Sequence, residues 1–271
     1  MHPLSFLSRG GLFAAAVLLS LASFTHPARA AEVYQWDFTQ GATDLVNGVP
    51  AVLANPAGLG AGGYTFTDIG EGISVTQPSE LAVSDTYTIF IVFSLTENDR
   101  TYQRIIDFKN KDEAGEGFEV GDQGLYARFD HIWFYYKGPQ AQGNHFQPEQ
   151  KIVLALRRDG ASKLLSCVVN GNLIWSFVDY DNDGVFSASN NLMRFFEDNL
   201  GPNEHPAGTV EKIRVFKNVL ITEAAINQQI AKLNQDFKKA KKAKDKRKQK
   251  KIKKQIPPLT AQLAYLQSLG N

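Results

Sequence analysis

The sequence predicts an all-β sandwich that ends in a basic helical tail. Three observations predict it. Residues 33 to 219 run in short apolar or alternating segments broken by Gly, Asn, Asp and Pro, the spacing of a sandwich or barrel. After Leu220 the apolar period lengthens from two residues to that of a helix. The charge divides at nearly the same place: residues 31–237 hold 15 basic and 27 acidic side chains, a net of −12, while residues 238–254 hold 12 of the 29 Lys and Arg against Asp245 alone. The whole-chain value of +1 conceals that split. With 271 residues, 43% hydrophobic and 21% charged, the chain affords one well-cored domain and excludes wholesale disorder.

The first 30 residues read as an export signal. Arg9 precedes an uncharged run over residues 12–24, and Ala28-Arg29-Ala30 offers the small, spaced side chains a signal peptidase needs, with cleavage after Ala30. Thirteen residues rise only about 20 Å as a helix, against roughly 30 Å of bilayer hydrocarbon, so an anchor is the poorer reading. The mature protein is expected in the periplasm or outside a bacterial cell. That compartment permits disulfides, but a lone Cys167 cannot form one internally, and its strand-like surroundings read as a buried core position.

The elements follow in order. Residues 88–95 place Ile89, Ile91, Phe93 and Leu95 on one face and Phe90 and Val92 on the other, so this strand belongs inside a sheet. Residues 126–136 and 210–216 supply further strands. Residues 152–156 form another, running into what reads as a charged turn at Arg157-Arg158-Asp159-Gly160. Asn170-Gly171 accepts the positive φ angles of a type I′ turn and predicts a hairpin between residues 163–169 and 172–178. Thr222 can cap a helix carrying Ile226, Ile230, Leu233 and Phe237 on one face. Pro257-Pro258 is expected to end the lysine-rich stretch before a second short helix over 259–269. The expected divisions are therefore 1–30, 31–221 and 222–271, with the lysines at 238–254.

Several of these segments resemble the laminin G-like domains of the concanavalin A-like lectin and glucanase superfamily, in the single-domain form of secreted bacterial proteins. The resemblance covers roughly residues 33–226. It is carried by Tyr34-Gln35-Trp36-Asp37-Phe38, Tyr87-Thr88-Ile89-Phe90-Ile91-Val92-Phe93, the Arg-Asp-Gly turn, Val168-Val169-Asn170-Gly171, and Gly208-Thr209-Val210 onward to Leu220-Ile221-Thr222-Glu223, in that order. It implies a jelly-roll sandwich of two antiparallel sheets. Members bind glycans, proteins or calcium, and other branches of the superfamily cleave polysaccharides, so fold alone fixes no function.

Catalysis by a retaining glycosidase needs two carboxyl groups about 5 to 5.5 Å apart. The superfamily's hydrolases carry Glu-x-Asp-x-x-Glu, and no such string occurs. Glu116-Gly117-Phe118-Glu119 lies in a Gly-rich stretch that reads as a loop, and a non-catalytic protein is expected. Asp179-Tyr180-Asp181-Asn182-Asp183-Gly184 is the sharpest chemical string. Asp179, Asp181 and Asp183 can aim oxygens at one calcium ion, with Glu197-Asp198-Asn199 as further donors; equally, the string reads as a polar connection, because Asn190 stands where a calcium loop places its bidentate Glu. Trp133 and Tyr135 alternate with Phe134 and Tyr136 and are candidates to face outward and stack on sugar. His131, His145 and His205 have no metal-ligand spacing, and residues 58–63 read as a flexible glycine loop rather than a phosphate cradle. Lys241, Lys242, Lys246, Arg247, Lys250 and Lys251 would attract a polyanion. The expected function is a secreted binding module for a glycan or an envelope protein, possible calcium assistance included. A polysaccharide-acting enzyme and an adhesive protein held to an anionic surface by its tail are the alternatives.

Overall fold

The computed structural model of the chain describes residues 32–96, 103–108, 124–128, 131–134, 141–142, 147–186, 191–197, 205–217 and 223–269. The expected signal segment, Tyr135, His145, Glu116 and Glu119 lie outside the described residues. In chain order the strands are β1 (Glu32–Asp37), β2 (Val52–Leu53), β3 (Leu59–Gly60), β4 (Gly63–Phe66), β5 (Ile73–Thr76), β6 (Tyr87–Leu95), β7 (Gln103–Asp107), β8 (Gly124–Arg128), β9 (His131–Phe134), β10 (Ala141–Gln142), β11 (Ile152–Asp159), β12 (Leu164–Val169), β13 (Asn172–Val178), β14 (Leu192–Phe195) and β15 (Gly208–Phe216). Two helices follow, α1 (Glu223–Lys242) and α2 (Lys246–Leu269).

The strands form two antiparallel sheets. One has eight strands in the order β13-β12-β11-β6-β15-β4-β3, with β1 also paired to β15; the other has seven, β10-β9-β8-β7-β14-β5-β2. Strand β6 lies between β11 and β15, as its two apolar faces require. Its Ile89, Ile91, Phe93 and Leu95 are buried against the second sheet. The same core takes Tyr34 and Trp36 from β1, stacked at 4.9 Å, and Phe195 from β14. Each such side chain contributes roughly 1.5–3 kcal/mol by leaving water. The Trp175 indole donates to the Ile132 carbonyl at 3.1 Å, tying β13 to β9 across the sandwich. Asn170 (φ 49°) and Gly171 (φ 80°) make the expected I′ turn between β12 and β13. Cys167 is buried, and burial pushes its thiol well above the usual range, which suits an inert core position.

Four expectations are corrected. Arg157 and Arg158 are not in a solvated turn; they lie within β11, just before its last residue Asp159, 9% and 1% exposed. The stretch 126–136 is not one strand, because β8 and β9 pair as a hairpin with Arg128 opposite His131. The glycines at 58–63 are not loose: Pro56–Gly58 is a 3₁₀ turn, and β3 pairs with β4 through Gly60 and Gly63. The fourth concerns the tail. The second helix does not begin after Pro257-Pro258: α1 runs to Lys242, and α2 starts at Lys246 and passes through both prolines.

The break falls instead at residues 243–245. Lys244 takes φ 55°, and the Asp245 carboxylate accepts the Lys248 amide at 2.9 Å as the cap of α2. The helices then run back along each other: Gln249 Nε2 donates to the Ala240 carbonyl at 3.2 Å, Lys253 lies over the Phe237 ring at 5.6 Å, and Ala240 and Ile252 are buried. Because the turn comes this early, α2, about 36 Å long, can return along the whole of α1, about 30 Å. The prolines forfeit two backbone donors, yet the helix runs on across them. Lysines become helix-formers with a solvated side, and the tail is a hairpin.

Candidate functional site

The outer side of the seven-stranded sheet carries an aromatic and cationic row. Such a face normally carries scattered polar side chains. Here a row in register across β7, β8 and β9 holds Arg104, Tyr126 and Trp133, with Arg128 and His131 as the next pair along. Beside them Arg194 of β14 pairs with Asp107 of β7. A bulge between Arg104 and Ile106 explains how this face is assembled. The extra residue sends both Ile105 and Ile106 into the core and leaves Arg104 and Asp107, three apart, on the same side.

Their side chains interlock. Trp133 stacks on Tyr126 at 5.8 Å and 17°, and His131 meets Trp133 edge-on at 6.4 Å. The Arg104 guanidinium lies 5.1 Å over the Tyr126 ring, with Nη1 3.6 Å from Asp107 Oδ2. Arg194 Nε is 3.9 Å from Glu197 Oε2. Gly124 makes room for the tyrosine: a Cβ there would come 3.1 Å from its ring and 2.7 Å from the Ile106 carbonyl oxygen. The row is recessed, with Trp133 5% and Tyr126 2% exposed. Arg104, at 0% exposure, is buried with them, so the row packs flat aromatic rings against a planar guanidinium.

Trp133 lies on the side of β9 opposite its core neighbour Phe134, yet is itself buried. Tyr126, Arg104 and Arg194 were not singled out by sequence. In one continuous strand Tyr126 would face opposite to Trp133; the antiparallel pairing of β8 with β9 sets the two directly across from each other and on one side.

The second candidate is the turn after β13. Asp179, expected to aim at calcium, is 2% exposed and turned inward. Its Oδ2 accepts Arg158 Nε at 2.8 Å and the Gly184 amide at 3.0 Å, and its Oδ1 accepts the Asp183 amide at 2.8 Å. Asp181 is exposed and Asp183 buried. Among the described residues no group of three or more His, Cys, Asp or Glu could hold a metal ion. This donor set does not fit the expected calcium site, because an arginine already engages Asp179. Glu197 pairs with Arg194, and Asp198 and Asn199 lie outside the described residues.

The third is the helical hairpin. Lys241, Lys242, Lys246, Arg247, Lys250 and Lys251 are all exposed, clustered on either side of the 243–245 turn. Among the described residues no helix is long and apolar enough to cross a membrane.

Among the described residues, three carboxylates are held below their ordinary values. Burial pushes Asp37 up, but hydrogen bonds from Thr39 and Gln40 and the nearby Lys212 leave it below its ordinary value. Glu71 is likewise raised by burial and lowered further by the Thr67 and Asp68 amides and Asn55. The Ser162 hydroxyl lowers Asp159. A carboxylate depressed by folding contributes stability above its unfolded pKa, near 4, and that contribution is lost as pH falls through the folded value. The melting temperature should therefore hold steady from pH 7 to about 5 and fall below about 4. A melting temperature that rises on acidification would contradict these assignments.

Comparison with known proteins places the fold. No family model matches the sequence, and no curated protein matches it. Solved structures do match. The binding domain of botulinum neurotoxin serotype D aligns with a TM-score of 0.51 at 13% identity over 73% of this chain and 50% of that one. Domain 4 of a GH43 extracellular arabinanase from Geobacillus stearothermophilus, in complex with arabinotriose, aligns at 0.49, with 15% identity over 71% of this chain and 95% of that one. The CBM40 of a Ruminococcus gnavus IT-sialidase, bound to α2,3-sialyllactose, aligns at 0.46, with 16% identity over 72% and 97%. The chain has the concanavalin A-like jelly-roll fold, two antiparallel sheets followed by two helices.

Proposed function

We propose that the protein is an exported, non-catalytic glycan-binding module of laminin G-like type, and that the sugar docks on the outer face of the seven-stranded sheet. The observation that carries this reading is the register row Arg104–Tyr126–Trp133 with Arg128 and His131 beside it. Sugar rings present an apolar C–H face and a rim of hydroxyl groups; stacked aromatics take the first and guanidinium forks bond the second. The acids on this face, Asp107 and Glu197, each lie beside an arginine, Arg104 and Arg194.

Binding to a panel of immobilised oligosaccharides tests this. At least one should be retained, and Trp133→Ala should weaken it about tenfold or more, the loss of one stacking surface. Retention of none, or equal retention by the variant, would overturn it.

The exposed lysines support a second reading, in which the hairpin holds the module to an anionic surface. Six cations within two helical turns of one bend form a compact positive patch on an otherwise acidic protein.

A further inference from the structure

The string that looks most like a calcium loop encloses an arginine. Arg158 reaches that position from β11, where it pairs with Tyr87 of β6 on one side and Leu165 of β12 on the other. Its Nε donates to Asp179 Oδ2 at 2.8 Å, one terminal nitrogen to the Asp85 carbonyl at 2.7 Å, and the other to Asn182 Oδ1 at 3.0 Å. A carboxylate, a backbone carbonyl and a side-chain amide are the oxygen types that calcium collects. The surrounding bonds close the enclosure: the Tyr87 hydroxyl donates to the Gly184 carbonyl at 2.7 Å, and the Phe186 amide to the Ser84 carbonyl at 3.1 Å. Asn182 adopts φ 61°, a conformation asparagine tolerates well, within the turn that carries its amide oxygen to the guanidinium.

We propose that the Arg158 guanidinium is the built-in cation of the 179–184 turn, standing where a divalent metal would stand, so that this rim folds without calcium. Arginine stays protonated throughout the ordinary pH range, and at 1% exposure its charge has Asp179 as buried counter-charge. A calcium ion on Asp179 Oδ2 would press a second positive charge against the guanidinium in a poorly screened site. One cation excludes the other. The arrangement also holds Tyr180, 76% exposed, on a base that does not depend on metal supply.

Calcium-dependent melting and terbium luminescence, with terbium as the calcium probe, test the proposal. The wild-type protein should melt at the same temperature in millimolar calcium and in EGTA. It should also give no terbium emission that Asp179→Asn removes. Arg158→Ser empties the enclosure but keeps its oxygens. That variant should melt lower, bind terbium, and regain about 5 °C or more when calcium saturates it. A calcium-induced rise in the wild type, or Asp179-dependent terbium emission from it, would overturn the proposal. So would an Arg158→Ser protein that folds and ignores both ions. If that variant does not fold, Asn182→Ala serves, since it removes one acceptor and keeps the ion pair. Its melting temperature should drop equally in calcium and EGTA, and a drop confined to calcium would overturn the assignment.

Discussion

Asp179→Ala is expected to cost about 3–5 kcal/mol of folding stability, because it strands a buried guanidinium without its counter-charge. In a domain of this size that is a fall of roughly 10 °C in melting temperature. The same change removes the acceptor for the Asp183 and Gly184 amides, so the turn loses its internal frame as well. Asp181→Ala, two residues on at an exposed position, should cost no more than about 1 kcal/mol. The two acids are indistinguishable by composition. A denaturant titration of both variants checks the difference, and comparable losses would show that Arg158 does not organise this rim.

The second large effect concerns the hairpin and the polyanion reading. If Lys241, Lys242, Lys246, Arg247, Lys250 and Lys251 each displace a counterion from duplex DNA, used as a probe polyanion, affinity should fall roughly 10³-fold between 50 and 200 mM salt. Changing all six to Gln should abolish most of that salt dependence. Glutamine keeps good helix propensity, and none of the six supplies the buried contacts of Ala240 and Ile252, so the hairpin should persist by circular dichroism. An unchanged salt slope in a folded variant would remove the lysines from the functional account. This readout is independent of the sheet face, so the two readings can fail separately.

The sandwich was legible because its signals are local. The parity of residues 88–95 identifies β6, and Asn170-Gly171 identifies the β12–β13 turn, each from fewer than ten residues. The site was only half legible. Trp133 could be nominated as an outward aromatic, but Tyr126 and Arg104 join it through a hairpin pairing and a bulge, neither of which has a glycine or proline to announce it. Arg158 misled in the opposite way. Next to Asp159-Gly160 it has the composition of a surface turn, whereas its burial depends on Asp179, 21 residues later. The tail misled because proline was weighed as a stop signal, while Asp245, the single acid among the lysines, marks the bend by capping α2. Long-range partners decided each of the misread cases.

The most direct measurement is a crystal structure of the protein with an oligosaccharide retained from the panel. The account predicts a sugar ring seated against Trp133 and Tyr126 on the outer face of the seven-stranded sheet, with hydroxyl groups within hydrogen-bonding distance of Arg128 or His131. A sugar bound instead at the 179–184 turn or on the helical hairpin, with that face untouched, would contradict it.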